Sequence, residues 1–331
     1  MEKPARTGRS APGAADRRTL LRTALAAATT VGTGGALAAC GPGGDQQQDA
    51  SPFTGERRRG EHVLAVKVDN VAPARPQTGL EHADIVYIEQ VEAGLSRILA
   101  VFASHLPTTV GPVRSARESD IELLRQFGEP ALAFSGVQSA LMPTLEATSL
   151  HLLPPGELTD GYTRDPARRA PHNLYLKARR AERAALDASA PRDIGFRFGA
   201  APGGGRRTER ETVRYPAARL TFTWSPDRRG WPVAMDGAPA RSRGAGRLAP
   251  ATVVIQYVTV RRSRFHDSSG SVTPYTETVG SGDALVLRDG KAYDAHWSRT
   301  SANGGTTFSD REGRRLPFAR GQVWVVLVKK D

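Results

Sequence analysis

The 331-residue chain has a single cysteine, Cys40, and lacks any long run of strongly apolar residues. One thiol excludes an intramolecular disulfide and a zinc site built on paired cysteines, so the folded chain depends on a packed core. The seven histidines are scattered at spacings that indicate no metal site. Neither a Walker loop nor a dinucleotide-binding glycine motif occurs, and the sequence therefore predicts no metal and no cofactor.

Residues 1–39 have the three parts of a bacterial export leader. Basic residues, among them the pair Arg17-Arg18, precede a weakly apolar stretch over residues 23–39, and small residues come immediately before Cys40. The alternative is a membrane-spanning anchor, but this short stretch of alanine, glycine and threonine falls below the ~20 strongly apolar residues that a stable span needs. The paired arginines favour Tat-type export over the Sec route.

The small residues before Cys40 also predict that its thiol carries a lipid. A bacterial lipoprotein cysteine bears a diacylglyceryl group, and two or more acyl chains anchor a protein durably where one does not. We therefore expect the mature protein to begin at Cys40 and to lie on the outer, extracytoplasmic face of the cytoplasmic membrane. Its first partner is then the membrane, and no nucleic acid partner is expected there.

The part beyond the leader is moderately basic. It holds 40 of the 46 basic and 32 of the 34 acidic residues, for a net charge of +8, which favours proximity to anionic lipids and wall polymers without requiring a specific site. Residues 40–60 are poor in apolar side chains, which predicts the lipidated cysteine followed by a flexible tether. The remaining length is typical of about two domains.

Residues 61–200 alternate between strand and helix patterns. A buried strand over residues 62–70 is followed by a predicted hairpin of strands 85–91 and 97–104. Helices are predicted over residues 115–127, with Ser119 as N-cap, and then over residues 139–147 and 174–188. This alternation predicts an α/β sandwich.

Residues 210–331 show no helical periodicity. Hairpin turns are indicated at Asp236-Gly237 and Asp289-Gly290. Strands are predicted over residues 219–224, 231–235, 252–260, 275–279, 284–287 and 322–328. The fold class is therefore α/β (α+β), with a first α/β domain followed by a smaller, β-dominated domain.

Several segments carry a resemblance to a known family. They are residues 70–80, 83–87, 111–117 and 170–175, and, further along, residues 280–291 and 321–324. In this order they resemble the signature segments of the YerB-like lipoproteins, also called the DUF3048 family. The resemblance implies a lipid anchor, an α/β first domain and a related second domain, and it implies no established activity.

The polar residues of these segments fall at predicted strand ends and loops, where open α/β sheets form ligand clefts. The candidate binding residues are Asn70, Arg75, Gln77, Arg97, Arg114, Ser115, Arg117, His172 and Asn173. Arg114 and Arg117 precede a predicted helix, and two guanidinium groups beside free backbone N–H groups are suited to an oxyanion. The structural alternative is that Arg114 forms an ion pair with Glu89 or Glu92 and ties strands together.

His172 is the best candidate for acid–base chemistry, because imidazole titrates near neutral pH. Asp69 and Glu89 are the candidate carboxylates that would assist it, although such a histidine more often stabilises a loop. Glu89 and Glu92 are three residues apart, so on one strand they face opposite sides, which weakens a glycosidase interpretation. The four tryptophans of the second domain could stack on sugars, but core positions are the commoner use.

Three functional hypotheses remain open. The first is a binding or assembly module that recognises an anionic or glycan wall component and is not an enzyme. The second is an envelope hydrolase or transferase that uses His172 with a carboxylate. The third is a scaffold that docks an unknown protein partner. A cleft lined by arginine would indicate the binding module, and His172 bonded to an acid beside an open pocket would indicate the enzyme. An exposed apolar patch would indicate the scaffold.

Overall fold

The computed structural model describes residues 50–57, 60–267 and 270–330. The predicted leader, residues 1–39, and the predicted lipidation site, Cys40, lie outside the described residues, as do residues 41–49 of the predicted tether. Within the described ranges, no helix combines the length and the apolar character needed to cross a bilayer.

Helices are confined to the first half of the described chain. The strands there are β1 (Leu64–Asp69), β2 (Ile85–Gln90), β3 (Ser96–Phe102), β4 (Thr109–Val110), β5 (Ala131–Ala133), β6 (His151–Leu153), β7 (Tyr162–Arg164) and β8 (Leu174–Lys177). The α-helices are α1 (Glu118–Leu124), α2 (Met142–Glu146) and α3 (Ala178–Ala184). Short 3-10 turns extend α1 at residues 125–127 and precede α2 at residues 139–141.

The second half is built from strands. They are β9 (Arg206–Arg207), β10 (Arg210–Tyr215), β11 (Ala218–Thr223), β12 (Val233–Met235), β13 (Ala238–Pro239), β14 (Arg241–Ser242), β15 (Gly246–Arg247), β16 (Thr252–Val258), β17 (Val260–His266), β18 (Val272–Thr276), β19 (Gly280–Arg288), β20 (Lys291–Arg299), β21 (Thr307–Ser309) and β22 (Val323–Lys329). The predicted α+β fold class, with a β-dominated second part, is confirmed.

One mixed sheet runs through both halves in the order β21-β20-β19-β16-β22-β2-β3-β1-β5-β6. The last strand, β22, lies between β16 and β2 and is parallel to both, so that Val323 is in register with Thr252 on one side and with Ile85 on the other. Each of these strands therefore obtains one of its two rows of backbone hydrogen bonds from β22.

Both faces of this sheet are covered. On one face, Val66, Ile88 and Trp324 are fully buried in a core that also contains Trp231. On the other face, alternate residues such as Tyr87 and Val325 pack with Phe127 beneath α1. A sheet buried on both sides explains why its central strands are nearly continuous apolar runs in the sequence.

The predicted hairpin turns are confirmed. Asp236 and Gly237 have φ angles of 53° and 90°, and Asp289 and Gly290 have 49° and 72°, the left-handed values that a tight hairpin needs at both central positions. Asp289-Gly290 connects β19 to β20 over nine register pairs.

The helix predictions need correction. Residues 174–188 are β8 followed by α3, because Leu174 and Leu176 are buried and pair with β7 and β4, and this pairing overrides the helical propensity of the segment. The helix predicted from residue 115 begins at Glu118, and its N-cap is Arg117, not Ser119. Asp120 Oδ2 accepts the Arg117 backbone N–H at 2.7 Å.

Residues 50–57 differ from the flexible tether predicted for them. Phe53 is fully buried, and its ring meets that of Phe127 edge-on at a centroid distance of 5.3 Å. Burying a phenylalanine contributes about 1.5–3 kcal/mol. The Gly321 N–H also donates to the Thr54 carbonyl at 2.9 Å, so a backbone hydrogen bond adds to the docking of this segment.

Candidate functional site

A cleft of about 770 Å³ lies at one edge of the main sheet. The parallel strands β1, β2 and β5 all end at this edge, and β3, antiparallel to β1 and β2, begins there. Residues that follow or end these strands line the cleft, as do the turn before α1 and the loop before β8. Open α/β sheets form ligand crevices at this position.

Asp69 is the centre of charge at the base of the cleft. It is fully buried, and its Oδ2 accepts a hydrogen bond of 2.7 Å from His172 Nδ1. Arg114 Nε lies 3.1 Å from the same oxygen, and Arg97 Nε lies 3.8 Å from Oδ1. One carboxylate therefore faces two guanidinium groups and an imidazole, which leaves this cluster with a net positive charge.

Arg97 is the least satisfied of these groups. Its side chain is only 6% exposed, yet neither Nε nor Nη1 has a hydrogen-bond partner among the described residues. Burial lowers the pKa of Arg97 to about 10, an effect that Arg117 and Arg114 reinforce and Asp69 opposes. Buried donors are almost always partnered, so these two are exceptions, and they belong to a cation that lines the cleft.

Arg117, in contrast, is closed off by a bidentate ion pair. Its Nε and Nη2 donate to the two oxygens of Glu92 at 2.7 and 2.9 Å. Burial acts most strongly and raises the pKa of Glu92, but the hydrogen bonds and the charge of Arg117, together with the hydrogen bond from Thr273, outweigh it and the pKa is lowered. Thr273 Oγ1 also donates to Glu92, at 2.6 Å. This pair stabilises the wall of the cleft and contributes little free positive charge.

A buried charged triad lies beneath the cleft. Lys67, which is fully buried, contacts the carboxylates of Glu89 and Asp120. Burial, reinforced by Asp120, raises the pKa of Glu89 despite the opposing charge of Lys67. Glu89 is not among the residues that line the cleft, so its role in this arrangement is to hold β1, β2 and α1 together.

The β17–β18 hairpin forms the opposite wall. It docks on α1, since Ser263 Oγ donates to Glu118 at 2.5 Å, Tyr275 Oη donates to Glu122 at 3.0 Å, and Ser119 Oγ accepts the Thr276 backbone N–H at 2.9 Å. The second half of the chain therefore completes a cleft whose charged floor comes from the first half.

The structure brings together six of the residues singled out from the sequence and places the others around them. Asp69, Arg97, Arg114, Ser115, Arg117 and His172 line the cleft. The remaining candidates stabilise loops: Asn70 Nδ2 donates to Ser96, Gln77 Nε2 donates to Asn70 Oδ1, Arg75 pairs with Asp236, and Asn173 bonds to Arg164 and Arg168.

Sequence reasoning missed two kinds of cleft residue. Gln138 follows β5, and the rule that strand ends gather at one edge could have found it. Phe265 lines the cleft from the β17–β18 hairpin, about 170 residues after Arg97 in the sequence, and no local signal connects the two. Trp231, Trp297 and Trp324 are buried and Trp224 is half-buried, so core packing accounts for the tryptophans.

The described residues contain no group of three His, Cys, Asp or Glu side chains placed to hold a metal ion. Two guanidinium groups, those of Arg97 and Arg114, line the cleft together with an imidazole, that of His172, whose orientation is fixed by Asp69. Glu118 and Asp267 also line the cleft on the hairpin side, so the positive charge is local to its floor.

The chain is similar to known proteins over most of its length. Residues 52–191 match the family described as "Protein of unknown function (DUF3048) N-terminal domain", and residues 211–325 match its C-terminal domain. A Bacillus subtilis (strain 168) protein described as "Putative lipoprotein YerB" is 26% identical over 317 residues, 86% of this chain and 90% of that protein.

The fold is also known from a crystal structure of YerB protein from Bacillus subtilis. It aligns with a TM-score of 0.72 at 23% identity, over 85% of this chain and 97% of the crystallised one. The two matched segments follow the order expected from the sequence and together span most of the chain, so the chain belongs to the DUF3048, or YerB-like, family.

Proposed function

We propose that this protein is a membrane-anchored, extracytoplasmic lipoprotein whose cleft binds an oxyanion carried by a component of the cell envelope. The observation that carries the proposal is Arg97, a buried cation with two unpartnered donors lining the cleft. Arg114, 27% exposed, is the second donor of charge. Guanidinium groups bind phosphate and carboxylate oxygens through charge-assisted hydrogen bonds.

The binding proposal is tested by calorimetric titration of the protein with phosphate and with sulfate. We expect saturable binding that weakens with added salt, because charge contributes to it. Arg114→Ala and Arg97→Met are expected to weaken binding about tenfold or more, since a hydrogen bond to a charged group contributes about 1.5–3 kcal/mol. Arg117→Ala removes the ion pair with Glu92 and should lower the affinity for the anion by a smaller factor. Arg311→Ala, an exposed arginine, is the matched control.

Equal responses of the wild type and of all three cleft variants to every anion would refute the arginine site. Arg114→Ala is the decisive variant, because its partly exposed side chain can be removed with less disturbance of the core than that of Arg97.

The lipoprotein part rests on different observations, namely the small residues before Cys40 and the lipoprotein description of the similar Bacillus subtilis protein. Mass spectrometry of the native protein is expected to find a mature chain beginning at Cys40 with a diacylglyceryl thioether. An unmodified thiol together with an intact leader, residues 1–39, in the cytosol contradicts this part of the proposal.

A second candidate function is favoured by the contact between His172 and Asp69. A carboxylate oxygen accepts, so Nδ1 of His172 carries the proton and Nε2 is left as a base beside the cleft. In this hypothesis His172 takes a proton from water, or from a hydroxyl group, that attacks an ester of the bound anion. We then expect the protein to turn over p-nitrophenyl phosphate or an acyl ester. His172→Gln should lose this turnover, and the exposed-site control His105→Gln should keep it. If the wild type turns over these substrates no faster than His172→Gln does, the enzyme hypothesis is wrong and only the anion-binding proposal remains.

A further inference from the structure

Gln138 is a second residue that lines the cleft and has an unsatisfied polar atom. Its backbone carbonyl accepts the Leu141 N–H at 2.9 Å, which fixes the residue as the N-cap of the 3-10 turn at residues 139–141. Its side-chain Oε1 is buried and has no hydrogen-bond partner among the described residues. Because a buried acceptor without a partner is unfavourable, a donor is expected from the molecule that fills the cleft.

Gln138 and Arg97 make opposite demands on a ligand. Arg97 Nε and Nη1 are donors and need acceptors, whereas Gln138 Oε1 is an acceptor and needs a donor. A fully ionised oxyanion such as sulfate has acceptors only, and a neutral sugar lacks the charge that Arg97 and Arg114 select. A molecule with both an oxyanion and a hydroxyl group meets both demands.

The rest of the cleft fits such a molecule. Leu95, Val137 and Phe265 add apolar surface to the lining, and Glu118 contributes a carboxylate on the hairpin side. The C–H faces of a sugar ring contact apolar side chains, and its hydroxyl groups donate to carboxylates. The volume of about 770 Å³ falls within the range of small-molecule sites and far exceeds the size of a bare anion.

We propose that the cleft takes a sugar-like molecule that bears an oxyanion, with the oxyanion on Arg97 and Arg114 and a hydroxyl group donating to Gln138. The proposal rests on the proposed anion-binding function and specifies its ligand class. The same chemistry has two sources, a phosphorylated sugar and a sugar carboxylate, which the experiment separates.

The experiment is a calorimetric titration of the full chain at constant ionic strength with glucose 1-phosphate, glucuronate, sulfate and glucose. We expect at least one charged sugar to bind about fivefold or more tightly than sulfate, because one additional hydrogen bond changes affinity by about twofold to tenfold. Glucose is expected not to bind measurably. The stronger of the two charged sugars identifies the source of the oxyanion.

Gln138→Met preserves the length of the side chain and removes its acceptor. We expect it to lower the affinity for the charged sugar to about that for sulfate, with sulfate binding unchanged. Gln90→Met is the matched control, since Gln90 is half-buried at the end of β2 and does not line the cleft. Unchanged sulfate binding also shows that the Gln138 variant is folded.

The outcomes separate the two proposals. If sulfate binds as tightly as both charged sugars, and Gln138→Met changes neither, the ligand class is wrong while anion binding stands. If neither sulfate nor a charged sugar binds, or if Arg114→Ala leaves binding unchanged, the anion-binding function itself is wrong. Should Gln138→Met fail to fold, the comparison of the four ligands on the wild type still decides.

Discussion

Replacing Lys67 by methionine tests the physical description of the triad beneath the cleft. Lys67 is fully buried, its Nζ is 2.5 Å from Asp120 Oδ1, and it also contacts Glu89. Methionine has a similar length and is apolar, so the substitution removes the charge with little change in volume. Two carboxylates then share a buried site with no cation between them.

The expected cost is large. Removing one partner of a buried ion pair destabilises a protein by about 3–5 kcal/mol, because an uncompensated charge remains in a medium that solvates it poorly. At ~2 °C per kcal/mol, the smaller slope expected for a chain of this size, this corresponds to a decrease in Tm of about 6–10 °C.

The stability deficit of Lys67→Met should also depend on pH, in a direction that the pKa of Glu89 determines. Burial raises the pKa of Glu89 above its ordinary value of 4.5, so the folded state holds this proton more tightly than the unfolded state. The free energy of unfolding contributed by Glu89 is therefore greatest below 4.5 and falls as the pH rises through the folded pKa. Lys67 lowers the pKa of Glu89, so without it that pKa is higher still and the fall in stability is larger and extends to higher pH. The deficit of Lys67→Met is therefore largest at pH 8 and shrinks toward pH 5.

Thermal unfolding of the wild type and of Lys67→Met at pH 5 and pH 8 measures the difference in Tm at each pH. Lys177→Met, at an exposed position on β8, is the matched control and should stay within ~0.5 kcal/mol of the wild type. A Lys67→Met protein that unfolds within 1 °C of the wild type at pH 8, or whose deficit does not change with pH, refutes the reasoning.

Two further predictions concern arginines and their partners. Arg299 is fully buried and donates to Thr278 Oγ1 and to the backbone carbonyls of Glu122, Ala302 and Gly304. Arg299→Met should therefore lower the free energy of unfolding, measured by chemical denaturation, by at least ~3 kcal/mol. The exposed Arg311→Met should lower it by ~0.5 kcal/mol or less. The lowered pKa of Glu92 means that its stabilisation is present above its unfolded pKa of 4.5 and is lost as the pH falls through the folded pKa. Glu92→Gln should therefore be less stable than the wild type by about 1.5–3 kcal/mol at pH 7, and this deficit should shrink as the pH falls below 4.5; an equal difference at pH 7 and pH 3 contradicts this.

Local patterns predicted part of the second half of the fold. Alternating apolar residues and Asp-Gly turns are determined over a few neighbouring residues, so β11, β12, β16, β22, the central part of β19 and the turn after it follow from the sequence, whereas no strand was predicted over β10, β20 or β21. The helix predicted over residues 174–188 is right for residues 178–184 and wrong for residues 174–177, where the pairing of β8 with β4 and β7 decides the structure.

The candidate site was predictable to a similar extent and for a similar reason. Asp69, Arg97 and Arg114 follow from the expectation that strand ends meet at one edge. Their pairing does not follow from it: Arg117, and not Arg114, pairs with Glu92, while Arg114 faces Asp69. Which guanidinium reaches which carboxylate depends on side-chain positions a few ångströms apart, and the contribution of Phe265 depends on a hairpin encoded much later in the chain.

The position of β22 determines when the main sheet can be completed during synthesis. Strands β2 and β16 keep open, apolar edges until residues 323–329 have left the ribosome, because β22 pairs with both. Such edges are templates for association with other chains. A chain truncated just before β22 is consequently expected to self-associate through these two edges.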